Sequence, residues 1–74
     1  MKNIIIDTEY IKLGQLLKMA AIVTSGIEAK IMILEGQVKV NGEVDVRRGR
    51  KIYDGYIVEV EGEEEIQVNS SFEA

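Results

Sequence analysis

The sharpest hydrophobic pattern in the chain runs from Gly36 to Val46, where apolar and charged residues alternate on both sides of Asn41-Gly42. Alternation of this kind is the period of a half-buried strand. Asn-Gly is the preferred pair for a two-residue type I′ turn, because both central residues there take φ > 0. The pattern predicts a β-hairpin. Its valines, Val38, Val40, Val44 and Val46, are expected on a core, with Lys39, Glu43 and Asp45 in water.

Upstream the period changes. Leu13, Leu16, Leu17 and Ala20 follow the i, i+3, i+4, i+7 spacing of a helix with one buried stripe, and Lys12 and Lys18 fall off it. Asp7 or Thr8 is the expected cap of that helix, with Glu9 in its first turn. Gly14 weakens a helix by up to about 1 kcal/mol relative to Ala, unless another segment needs the space. Ser25-Gly26-Ile27-Glu28 fits a capping box, with Ser25 accepting from the Glu28 N–H and Glu28 reaching back. That box opens a second helix, which Ala29 through Glu35 continues and Gly36 closes. The β-branched run Ile4-Ile5-Ile6 predicts a strand, as does Tyr56 to Val60, with turns at Asp54-Gly55 and Glu61-Gly62. Ile66 to Val68 is the expected last edge strand. The expected fold class is α+β, two short helices packed on a small, mainly antiparallel sheet with a hairpin. One domain is expected over residues 1–68 and a frayed tail over 69–74.

Composition narrows the classes of function. Seventy-four residues make one small domain, which buries about 60% of its unfolded surface. Its expected stability is roughly 4–11 kcal/mol. With no cysteine there is neither a disulfide nor a thiolate metal site, and with no histidine the usual general base is missing. No cofactor and no metal are expected. No signal peptide or membrane span is visible at the N-terminus, so a cytoplasmic protein is the default.

The net charge of −4 hides a segregation. Residues 1–51 hold all nine basic residues and six acidic ones, a balance of +3, and residues 52–74 hold seven acidic residues and no basic one, a balance of −7. Distribution matters more than the sum for a polyanionic partner. In Arg47-Arg48-Gly49-Arg50-Lys51, four of five residues are basic. Such a run either keeps a sheet edge solvated or grips phosphates through guanidinium forks.

Several of these stretches together resemble the S4-type RNA-binding domain. They are Leu13-Gly14-Gln15-Leu16-Leu17-Lys18, Ser25 with Ala29-Lys30, and Glu35-Gly36-Gln37-Val38-Lys39-Val40-Asn41-Gly42, followed by Gly55 to Val60. The likeness covers about residues 8–60 and is nearest to small stand-alone bacterial members. It implies an αL motif, a helix pair and hairpin forming an L-shaped face for structured RNA, ribosomal or transfer RNA, with no catalysis. It implies RNA contacts at Lys12, Ser25, Gly26, Lys30, Lys39 and Asn41, flanked by Arg47, Arg48, Arg50 and Lys51. Gly14 and Gly26 stand where the family often has Asp and Arg, and Asp54-Gly55-Tyr56 replaces its usual Pro-Gly-Asp. The first two departures are expected to remove RNA contacts.

Other features carry less chemistry. Tyr10, Tyr53 and Tyr56 are scattered and are expected to pack at the edge of the core rather than to form a stacking platform. Glu61, Glu63, Glu64 and Glu65 lack the spacing of a calcium loop and read as a solvated turn. No nucleophile with a base and no phosphate loop is present, so an enzyme is not expected. The rivals to RNA are DNA, and a protein partner added as a strand at the hairpin or at Ile66–Val68.

Overall fold

A computed structural model describes residues 1–73. Its main sheet has five strands in the order β1-β7-β6-β3-β4. These are β1 (Lys2–Ile6), β3 (Val38–Val40), β4 (Glu43–Val44), β6 (Ile57–Val60) and β7 (Ile66–Ser70). The β1–β7 pair is parallel and the other pairs are antiparallel. A separate ribbon pairs β2 (Tyr10–Lys12) with β5 (Lys51–Tyr53). Two helices, α1 (Leu13–Met19) and α2 (Gly26–Leu34), pack against each other and cover the core.

The apolar periods fall where burial needs them. Leu13, Leu16, Leu17 and Ala20 are all buried, as are Val38, Val40, Val58, Val60, Ile66 and Val68 on the facing sheet. Asn41 and Gly42 have φ of 51° and 88°, the type I′ geometry predicted for the turn.

Four local expectations are corrected. Neither Asp7 nor Thr8 caps α1, because Tyr10, Ile11 and Lys12 form a strand opposite Tyr53, Ile52 and Lys51. The helix starts after that pairing ends, and the Lys12 N–H donates to Gln15 Oε1 at 3.3 Å. Val44 and Val46 are half-exposed, whereas Asp45 is only 7% exposed. The second hairpin arm lasts two residues before the chain bends, and Asp45 turns inward to meet two arginines. The segment Ile66–Val68 is no edge, since β7 lies between β1 and β6. The tail does not begin at residue 69. Asn69 and Ser70 pair with Ile5 and Ile6, and the Ser71 N–H donates to the Ile6 carbonyl at 2.8 Å. The parallel partner β1 supplies those bonds from the far end of the chain. Ala74 of the expected tail lies outside the described residues.

Candidate nucleic-acid interface

The basic run 47–51 docks on the start of α1. The Leu13 and Gly14 N–H groups donate to the carbonyls of Arg50 at 2.8 Å and Arg48 at 3.0 Å. A helix start leaves such N–H groups without intrahelical partners, and here the loop satisfies two of them. Gly14 makes the approach possible. A Cβ at this position would stand 2.6 Å from Arg48 Cγ. The missing side chain that was expected to cost an RNA contact instead lets the stem of an arginine cross the helix.

Beside this junction lies a groove of about 340 Å³, lined by Lys12, Gly14, Gln15, Lys18, Gly26, Arg48 and Gly49. Among the described residues it contains three cations and no carboxylate. None of Lys12, Lys18 and Arg48 is in an ion pair among the described residues. The N-terminus of the nine-residue α2 opens onto the same groove through Gly26, and a helix start carries positive partial charge. Ser25 is occupied as its cap, since its Oγ accepts from the Glu28 N–H at 3.2 Å. Glu28 does not close the expected box. Its carboxylate accepts instead from the Thr24 hydroxyl at 2.6 Å. Lys30 is exposed one turn beyond Gly26, on the same side of α2.

Arg47 and Arg50 are engaged differently. Arg47 grips Asp45 with Nε on Oδ1 at 3.0 Å and NH2 on Oδ2 at 2.8 Å, and its backbone N–H adds a bond at 2.9 Å. Arg50 NH1 reaches Oδ2 at 3.0 Å. These bonds, chiefly those from the Arg47 side chain, hold the Asp45 carboxyl down at about 2 against the opposing effect of burial. The buried carboxylate thus shapes the loop. The Arg47 side chain remains 66% exposed. Lys51 faces Lys12 across the β2–β5 ribbon, and its Nζ lies 4.8 Å from the centre of the Tyr10 ring. Like charges directly opposite each other are unfavourable unless an anion lies between them.

One expected site residue falls elsewhere, and another, Asn41, borders the concavity lined by Arg47 and Arg50. Lys39 pairs across the sheet with Glu59 and lines a concavity with Glu59, Glu61, Glu63 and Glu65. Strand register decides this: β6 returns beside β3 and brings the acidic end of the chain with it. Asn41 is used by the fold, as its Oδ1 accepts from the Ile57 N–H at 2.9 Å. Sequence reasoning missed Lys18 and Gln15 as groove residues. Their i, i+3 spacing off the apolar stripe placed both on one outer face of α1. It also missed that the tyrosines converge. Tyr53 lies 5.6 Å from Tyr10 and 5.8 Å from Tyr56, measured between ring centres.

Among the described residues no helix is long and apolar enough to cross a membrane. A family model described as "S4 domain" matches residues 4–69. The chain is 54% identical over 63 residues to the "probable ribosome maturation protein RlbA" of Bacillus subtilis, covering 85% of this chain and 89% of that one. It is 45% identical over 53 residues to the "putative RNA-binding protein YbcJ" of Escherichia coli, covering 72% and 76%. The solution structure of YbcJ, described as having an αL motif involved in RNA-binding, superposes with a TM-score of 0.71. It is 38% identical and covers 93% of this chain and 87% of that one.

Proposed function

The chain belongs to the S4 domain family, and from that premise we propose that it is a non-catalytic binder of structured RNA. The groove between α1, the start of α2 and the 47–51 loop is its contact surface. One observation carries the reading: Lys12, Lys18 and Arg48 line one groove free of carboxylates. Three cations unpaired among the described residues, held by a strand end, a helix and a loop docked on that helix, suit the oxygens of a folded polyanion. The Gly26 end of α2 and Lys30 extend the surface on one side, with Ser25 holding the helix end in place. Arg47, Arg50 and Lys51 extend it on the other. Asn41 borders it beside Arg47 and Arg50, and Lys39, among the glutamates, is not part of it. The readout is of backbone and shape, the mode used for paired RNA. The name of the E. coli relative supports RNA as the partner, and that of the B. subtilis relative, a probable ribosome maturation protein, supports a ribosomal rather than a transfer RNA.

Filter binding of a ribosomal RNA hairpin at several salt concentrations tests this. Three neutralised phosphates give log K against log salt a slope of about −3, and the double change Lys12→Ala with Arg48→Ala flattens it by about 2. Absence of binding at about 50 mM salt, or a flat response, refutes the reading. A matched DNA hairpin that binds equally well makes the module a general nucleic-acid binder.

A protein partner has a separate observation behind it. Ile27, Ile31 and Leu34 are 72%, 52% and 58% exposed at i, i+4, i+7 on α2. A partner seated there survives ribonuclease treatment in a cross-linked pull-down, whereas RNA-mediated association does not.

A further inference from the structure

Three of the four aromatic side chains in the sequence lie side by side. Tyr10 and Tyr53 are cross-strand partners on the β2–β5 ribbon, and Tyr56 follows after the next turn. The strand period puts Tyr10, Lys12, Lys51 and Tyr53 on one face of the ribbon and the buried Ile11 and Ile52 on the other. The tyrosines are therefore not what fills the core beneath the ribbon. All three remain partly exposed, and of them Tyr56 leans on the core.

Cations accompany the rings. The Arg50 guanidinium carbon stands 5.8 Å from the centre of the Tyr56 ring, and Lys51 lies over Tyr10. A concavity of about 480 Å³ is lined by Arg47, Gly49, Arg50, Lys51, Tyr53 and Tyr56, again without a carboxylate. Gly49 also lines the Lys12–Lys18–Arg48 groove, so the two surfaces adjoin. Aromatic rings beside guanidinium and ammonium groups match a nucleotide in both its parts. The rings offer π-faces to a base, and the cations reach the flanking phosphates. A fully paired helix keeps its bases stacked on one another and cannot use such rings.

We infer that this surface is a stacking site for one unpaired nucleobase of the bound RNA. Tyr53 meets the base, and Arg50 and Lys51 meet the phosphates beside it. The inference rests on the RNA-binding reading above and adds to it a preference for stems interrupted by a bulge or internal loop. Stacking on a ring suits every base, so the site selects an exposed base without selecting its identity.

Two RNA hairpins of equal length test it, one fully paired and one with a single unpaired adenosine in the stem. With no tryptophan in the chain, emission reports the tyrosines alone. The wild-type protein is expected to bind the bulged hairpin at least about fivefold more tightly, as one stacked base provides, with quenched tyrosine emission. Tyr53→Leu removes the preference and leaves binding to the paired hairpin unchanged, while Tyr53→Phe keeps it. Equal wild-type affinity for the two hairpins overturns the inference and leaves the RNA reading standing, as does a preference that survives in Tyr53→Leu. Failure to bind either hairpin removes both. Should Tyr53→Leu unfold, the wild-type preference and quenching decide alone.

Discussion

Gly14→Ala separates helix stability from the placement of an arginine. A methyl group there stands 2.6 Å from Arg48 Cγ and 3.2 Å from Cδ, well inside the ~3.5–4.0 Å of ordinary carbon contact. The loop backbone resists moving away, because its carbonyls at 48 and 50 are bonded to the Gly14 and Leu13 N–H groups. The Arg48 side chain must therefore rotate. An off-rotamer torsion costs about 0.5–1.5 kcal/mol, and Ala gains about 1 kcal/mol over Gly in a helix. The two offset each other, so urea denaturation should show stability changed by less than about 1 kcal/mol. RNA binding should respond much more. Losing one phosphate contact makes the log K–log salt slope shallower by about 0.9. At a fixed moderate salt concentration the expected loss is about three- to tenfold, matching Arg48→Ala. Unchanged affinity and slope in Gly14→Ala would refute the placement of Arg48 on the RNA. A stability loss above about 3 kcal/mol would refute the claim that the side chain yields before the loop does.

Two further outcomes follow from the charge arrangement. Asp45 is buried with its carboxyl held at about 2, below the ordinary value near 3.9. A depressed carboxyl stabilises the fold fully above pH ~4 and loses that contribution as pH falls toward 2. Asp45→Asn should cost about 2 kcal/mol at neutral pH and flatten the acid limb of a pH-dependent denaturation series, without lowering RNA affinity, since Arg47 and Arg50 keep their charges. A variant that loses affinity in proportion to stability would show that the Asp45 pairs position those arginines for RNA. Lys18→Ala and Lys39→Ala remove the same charge from opposite surroundings. Filter binding should show about a fivefold loss for the first and less than about twofold for the second, and equal losses would place RNA on the face of the sheet at β3 as well.

What could be read from the chain beforehand depended on the range of each signal. The Leu13–Ala20 stripe, the Ser25 cap and the Asn41-Gly42 turn are set within a few residues, and each stands where its pattern put it. The start of α1 was misjudged because the partner of Tyr10–Lys12 is forty residues away at Lys51–Tyr53. The same cause misplaced Asp45. Alternation along a strand sends it outward, and only the return of Arg47 and Arg50 draws it in. At the interface, basic residues were legible as a group but their sharing of a surface was not. Lys39 carries the same charge as Lys18, yet strand pairing with β6 assigns it to the acidic end. The tyrosines, scattered in order, meet because a ribbon and a turn bring them together.

The unpaired state of the cations is the feature that folding alone does not explain. Lys12 stands opposite Lys51, and Lys12, Lys18 and Arg48 share one groove. A single glutamate at either ribbon position would turn a repulsive cross-strand pair into an attractive one, by roughly 0.2–1 kcal/mol. The chain has thirteen acidic residues available, but only Asp45 is held by the loop that borders the groove, and it is buried beneath two arginines. Four other carboxylates, Glu59, Glu61, Glu63 and Glu65, line the concavity at the opposite chemical extreme. A molecule with a net charge of −4 thereby keeps a local positive field at one surface while repelling a polyanion from another. Such an arrangement favours one orientation at encounter. It is also why the groove, rather than the overall charge, determines whether a polyanion binds.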